Sequence, residues 1–135
     1  MKKILLTGGR GFFASRFAKF YQGSYEILAP GHKELDVTDE TSVQRAVGKF
    51  QPDMILHTAA VASTEYCNAH PDIAKRINVE GAVYLAQAAK KIGAKMVFIS
   101  SEQVFNGNPE AGPYKETDQA LPDTVYGQTK LAAEI

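Results

Sequence analysis

The chain has little cysteine, no excess of charge of either sign, and no apolar run long enough to cross a bilayer. Its 135 residues hold one cysteine, Cys67, so an internal disulfide is excluded and a reducing compartment such as the cytoplasm is expected. A catalytic thiol needs a basic partner, and Cys67 has no recognisable histidine context. Fifteen basic residues balance fifteen acidic ones, which gives no electrostatic reason to expect nucleic acid or an anionic membrane as partner. The opening Met1-Lys2-Lys3-Ile4-Leu5-Leu6-Thr7-Gly8 offers too short an apolar stretch for a signal peptide or a membrane span. His32, His70 and Cys67 lack metal-ligand spacing, so no metal is expected.

What is present is the composition of one globular domain, 44% apolar, able to bury about two-thirds of its unfolded surface. Apolar runs alternate with helix-period segments, the pattern of repeated βα units and a parallel sheet. Strands are expected at residues 3–7, 25–29, 35–37, 54–60 and 95–101. Helices are expected at 12–22, from the Thr38-Asp39 cap to about Phe50, at 71–92 ending on Gly93, and from Asp123 or Thr124 onward. Phe13, Phe17 and Phe20 form a helical stripe expected to pack on the sheet, and Ala82, Ala86 and Ala89 would permit close packing of the long helix. Residues 103–122, rich in glycine and proline, read as a loop. Right-handed crossovers then give an α/β, Rossmann-type doubly wound parallel sheet of order 3-2-1-4-5. No glycine, proline or basic turn ends the last helix before Ile135, so the chain is expected to be truncated before a sixth strand and a substrate domain.

Two motifs carry chemistry. Thr7-Gly8-Gly9-Arg10-Gly11-Phe12-Phe13-Ala14 falls where the first strand turns into the first helix, where a bare backbone and a helix N-terminus can hold a pyrophosphate. The acidic residue that would bind a ribose is expected about 20 residues on. That place reads Ala29-Pro30-Gly31-His32-Lys33, with no carboxylate and two potential cations, while Arg10 adds a third. This leans toward NADPH over NADH, although solvated loop charges would read the same way. The second motif is Tyr126-Gly127-Gln128-Thr129-Lys130. A tyrosine four residues ahead of a lysine shares its helix face, and an ammonium near a phenol favours proton transfer.

Taken with Leu35-Asp36-Val37-Thr38-Asp39, Ala59-Ala60, Asn78-Val79-Glu80-Gly81 and Ser100-Ser101-x-x-Val104-Phe105-x-Gly107, these motifs make the chain resemble an extended short-chain dehydrogenase/reductase. Within that group it is similar to the dTDP-4-dehydrorhamnose reductase type of sugar-nucleotide reductase. The resemblance implies a catalytic set of Ser101, Tyr126 and Lys130: Tyr126 protonates a carbonyl oxygen, Ser101 orients it, and Lys130 holds the nicotinamide ribose and lowers the tyrosine pKa. It also implies that Gly8, Arg10, Gly11, Phe12 and Phe13 cradle the cofactor. Asp36 and Val37 would meet its adenine end, Ala59, Ala60 and Val61 would line it, and Ser100 would lie beside it. Asn78 would support the lysine through water or serve as a buried structural amide.

Departures from the family pattern bear on the substrate. Ser100-Ser101-Glu102-Gln103-Val104-Phe105-Asn106-Gly107 carries Gln103 and Asn106 where such reductases usually have a tyrosine and an aspartate, and Ala14 replaces the third glycine. Gln103 also argues against a sugar-nucleotide dehydratase, since an amide cannot transfer the proton that reaction needs. An epimerase shares every residue present. A regulatory subunit like that of methionine adenosyltransferase would keep the fold without catalysis. The implied partner is a nucleotide-sugar substrate in the intact protein, and the 135-residue piece is expected to bind dinucleotide weakly, to self-associate, and not to turn over a nucleotide sugar.

Overall fold

The computed structural model describes residues 1–108 and 112–135; residues 109–111, within the loop expected over 103–122, lie outside the described residues. Strand β1 (Lys3–Leu6) buries three aliphatic residues in succession, as a strand covered on both faces must. It pairs in parallel with β2 (Glu26–Leu28) on one side and β3 (Met54–His57) on the other, and β4 (Lys95–Phe98) follows β3. The sheet of the described residues therefore runs β2-β1-β3-β4.

The short strand expected at residues 35–37 does not form, and among the described residues no ladder takes its place beside β2. Its N–H groups are satisfied locally instead. Asp36 N donates to Ser42 Oγ at 3.2 Å, and Thr38 N donates to the Asp36 carboxylate at 2.9 Å. Leu35 and Val37 are still buried, so the segment serves as a plug under the sheet edge.

Side chains alternate between the two faces. Leu5 and Ile55 join Val43, Val47 and Leu85 from α2 (Glu40–Phe50) and α5 (Gly81–Ile92). Ile4, Leu6 and Leu56 meet Ala14 of α1 (Phe12–Phe20) on the opposite face. Asp39 caps α2 by accepting from Thr41 N, a contact worth about 1 kcal/mol.

The expected aromatic stripe of α1 is not core. Phe13 is 51% and Phe20 80% exposed, and only Phe17 is drawn partly inward. The sheet is approached by Ala14 and Ala18, whose small side chains let the helix lie close, and this turns Phe13 and Phe20 outward. Ala82 and Ala89 are buried as expected, whereas Ala86 lies on the exposed face of α5.

The long helix expected over 71–92 is one continuous rod with a fault in it. α4 (Pro71–Lys75) passes into a single π turn, Arg76–Glu80, and then into α5, with helical dihedrals at both joins. Gly93 ends it at φ +70°, a conformation that suits glycine. A short helix α3 (Thr64–Ala69), capped by Ser63, precedes it and was not expected. Ser101 opens a 3₁₀ turn, Glu102–Val104, and α6 (Val125–Glu134) closes the fold behind its Thr124 cap.

Candidate active site

The carboxyl ends of β1 and β3 set the floor of the site. Gly8 turns the chain at φ +69°, and a Cβ on Gly9 would lie 2.0 Å from the Ala29 carbonyl oxygen, so no side chain fits there. Gly9 N donates to Pro30 O at 3.0 Å and Gly11 N to Gly8 O at 2.7 Å, which folds the turn against the end of β2. Gly11 caps α1 without a side chain, so the N–H groups of the first turn remain open to an anion.

Opposite stands the turn after β3. The Thr7 hydroxyl accepts from Thr58 N and Ala59 N, both at 3.1 Å, and the Thr58 hydroxyl donates to Thr7 O at 2.7 Å. These bonds fix Ala59 against Gly8. Next along, Val61 N donates to Asn78 Oδ1 at 2.8 Å, while Asn78 Nδ2 donates to Val61 O and to the Thr129 hydroxyl, each at 3.0 Å. Asn78 is thus a buried structural amide whose two N–H groups are both committed, one to the turn and one to α6. It sits in the π turn, the distortion that aims it inward.

Between the two turns lies a cavity of about 660 Å³. Gly8, Gly11, Ala59, Ala60 and Val61 line one end, and Arg10, Asp36, Val37 and Arg76 the other. The Asp36 carboxyl is held below its usual range, chiefly by the Thr38 hydroxyl, against opposing desolvation; the Thr38 N–H and the charges of His32 and Arg76 add to the lowering. Val37 packs against Gly81, where a Cβ would come within 2.9 Å of it. The bare cradle, the open helix terminus and a cavity of this size fit a dinucleotide. Phe12 and Phe13 are exposed on the outer side of the same turn.

The proton-transfer residues lie on α6, which packs on α3, α4, the π turn and the 3₁₀ turn. Tyr126 is 8% exposed and clusters with Cys67 and Ala74, and Val61 from the cavity wall packs against that cluster. Lys130 is 4% exposed. Its ammonium donates to Ile99 O and lies 4.2 Å from the centre of the Phe98 ring. Burial lowers the Lys130 pKa, and Glu134 partly offsets this. Ser101 Oγ accepts from Gln103 N at 3.2 Å and donates to Glu102 at 3.0 Å, whereas exposed Ser100 reaches Glu134. Burial raises the pKa of the Cys67 thiol, which donates to Val61 O; it is an inert core group.

Gly127, Gln103 and Glu34 take structural roles at the site that the sequence motifs do not assign them. Gly127 lets α6 touch the 3₁₀ turn, since a Cβ there would lie 2.1 Å from Gln103 O. The Gln103 side-chain oxygen accepts from Thr64 at 3.2 Å and from Thr124 at 3.4 Å, pinning the starts of α3 and α6 together. Glu34 folds back so that its carboxylate accepts from Gly31 N at 2.5 Å. A carboxylate therefore does stand in the loop after β2, one residue past the Ala29–Lys33 stretch.

The sheet, glycine turn and Tyr126–Lys130 helix define a class, the dinucleotide-binding fold of the extended short-chain dehydrogenases/reductases. More narrowly, the chain belongs to the RmlD substrate binding domain family, whose model matches residues 1–135. It is 37% identical over 99% of its length to spore coat polysaccharide biosynthesis protein SpsK of Bacillus subtilis, covering 47% of that protein. Methionine adenosyltransferase 2 subunit beta of Bos taurus is 33% identical over 98% of this chain and 42% of its own length. Among solved structures, dTDP-4-dehydrorhamnose reductase from Bacillus anthracis in complex with NADP superposes with a TM-score of 0.94 at 32% identity, over 99% of this chain and 48% of that one. The chain spans about half the length of the curated relatives it matches.

Proposed function

We propose that this chain is the cofactor-binding and proton-donating part of a 4-keto nucleotide-sugar reductase of the dTDP-4-dehydrorhamnose type. The observation that carries this reading is the buried Tyr126–Lys130 pair on a helix tied, through Asn78 and Val61, to the wall of the dinucleotide-sized cavity. Gly8, Gly11 and the open N-terminus of α1 would hold the pyrophosphate, with Phe12 and Phe13 beside it. Asp36 and Val37 would hold the adenine end, and Ala59, Ala60 and Val61 the middle. Ser100 would lie near the nicotinamide end. Bound NAD(P)H supplies hydride. Tyr126 donates a proton to the carbonyl oxygen, and Ser101 donates a hydrogen bond that orients it. Lys130 keeps N–H donors beyond the one given to Ile99 O, and these would reach the nicotinamide ribose.

Arg10, His32 and Lys33 incline the site toward NADPH. The free thiol of Cys67 suits the cytoplasm, and no helix among the described residues is long and apolar enough to cross a membrane. Leu28 and Ile99, exposed at the two edges of the sheet, favour self-association. The test is a chimaera joining this chain to the carboxyl-terminal half of the Bacillus anthracis reductase, assayed for NADPH oxidation with dTDP-4-dehydrorhamnose. Tyr126→Phe should lower turnover about 10²- to 10⁴-fold with dinucleotide affinity unchanged. Turnover indifferent to Tyr126 would sink the assignment.

The likeness to the beta subunit of methionine adenosyltransferase favours a second reading, a dinucleotide-binding regulatory subunit. Recovery of a stoichiometric enzyme partner, with a chimaera that binds dinucleotide but does not reduce the sugar, would establish that reading instead.

A further inference from the structure

The face of α6 that carries Tyr126 and Lys130 continues one turn further to Glu134, at the same spacing of four. Two of these side chains grip the segment leaving β4. The Lys130 ammonium donates to Ile99 O, and the Glu134 carboxylate accepts from the hydroxyl of Ser100, the next residue. Ser101 follows at once and opens the 3₁₀ turn, which α6 touches at Gly127. Three successive turns of one helix therefore hold the strand end and the turn on which Ser101 sits.

Charge gives Glu134 a second link to the same set. Lys130 is buried, and a cation taken out of water is costly unless a counter-charge stands near. Its ammonium contacts, a carbonyl oxygen and the Phe98 ring, carry no formal charge. Burial lowers the lysine pKa, and the Glu134 carboxylate is what acts against it. His57 faces the ammonium from β3 and is neutral. Glu65, Asp72, Glu80 and Glu102, on the other elements packed against α6, do not contribute, nor do Lys75 and Arg76. Helix pairing alone does not account for the placement, since a lysine four residues ahead of a glutamate is the weaker order. The Ser100 bond is what fixes an otherwise solvent-exposed carboxylate beside the strand end.

We propose that Glu134 is a positioning residue for proton transfer, holding Ser101 in place through Ser100 and Lys130 in its working state through charge. It acts through its neighbours, not on the reacting atoms. With the carboxylate in place, Lys130 remains an ammonium to higher pH, able to hold the nicotinamide ribose and to favour proton transfer at Tyr126. Without it burial acts alone, so the neutral amine forms at lower pH and the set fails from the alkaline side. That role rests on the reading of Ser101, Tyr126 and Lys130 as the proton-transfer set.

Two variants separate the bond from the charge. Glu134→Gln keeps an oxygen to accept from Ser100 but carries no charge, and Glu134→Asp restores the charge on a shorter stem. NMR titration of the Lys130 side chain in the 135-residue chain should give a lower midpoint for Glu134→Gln than for the wild type. Glu134→Asp should bring it back toward the wild-type value. In the chimaera with the carboxyl-terminal half of the Bacillus anthracis reductase, Glu134→Gln should move the alkaline limb of the turnover profile to lower pH. Turnover on that limb should fall about tenfold, with the KM for dTDP-4-dehydrorhamnose unchanged. An unmoved Lys130 midpoint, or a glutamine variant that keeps the wild-type profile, would overturn the proposal. A lowered midpoint with a wild-type chimaera that does not reduce the sugar would support the charge link and overturn the reductase reading instead. Because Glu134 is solvent-exposed, neither variant should alter the thermal unfolding midpoint, and that measurement confirms that folded proteins are compared.

Discussion

The Thr7 hydroxyl lies 2.7 Å from His57 Nδ1, and the direction of that bond fixes the state of the histidine. Both acceptor positions of the hydroxyl are filled by Thr58 N and Ala59 N, so its proton points to the imidazole. His57 is therefore neutral with its proton on Nε2, which is buried without a partner among the described residues. Burial, reinforced by the charge of Lys130, lowers its pKa to about 4. Buried at the end of β3, His57 is the neutral support under the turn that lines the cavity.

This makes acid stability predictable. The unfolded chain takes up a proton on His57 near pH 6.5, whereas the folded chain resists it until about pH 4. The fold should therefore hold its full stability above pH 6.5 and lose about 3 kcal/mol as pH falls through that window. Urea unfolding at a series of pH values measures the slope, and His57→Asn should flatten it. A slope unchanged by the substitution would show that other groups carry the acid response.

Gly127 should tolerate no side chain. The Cβ of alanine would meet Gln103 O at 2.1 Å and Pro122 Cβ at 2.9 Å, so α6 or the 3₁₀ turn must shift. Gly127→Ala is expected to cost about 1–3 kcal/mol in denaturant unfolding, despite alanine's better helix propensity. Gln128, exposed one residue along, is the control: Gln128→Ala should be close to neutral.

Asn78→Leu should disconnect the cavity wall from α6. The change keeps the branched shape but strands Val61 N and takes one partner each from Val61 O and the Thr129 hydroxyl, which keep only Cys67 and Tyr126 O. A loss of about 3 kcal/mol is expected, with faster amide exchange at Val61 and weaker dinucleotide binding. Amide exchange separates this from general destabilisation, because β1 should keep its protection.

The parallel sheet was legible because its buried strands are continuous aliphatic runs punctuated by glycine and proline. The failures have local causes. Leu35-Asp36-Val37 has strand composition, but Ser42 and the Asp36 side chain take the hydrogen bonds a strand would need. The phenylalanines of α1 have helical spacing, and spacing alone does not say which of two stripes faces the sheet; the alanines decide it by allowing closer approach. Glu34 gives no signal in linear order, because a turn returns its carboxylate to the Gly31 N–H. The Tyr126 and Lys130 spacing was visible, whereas their burial and the lysine's carbonyl contact arise from packing between distant segments.

The π turn at Arg76–Glu80 amounts to one surplus residue wound into an otherwise regular helix. Removing a single residue there would restore α-helical winding and leave the flanking turns close to register, because the wide turn is what absorbs the surplus residue. Asn78, inside that turn, would lose the position from which it meets Val61 and Thr129. In this stretch chain length is itself a constraint. Across diverged copies of the gene, substitutions should accumulate along this helix while insertions and deletions stay out of it.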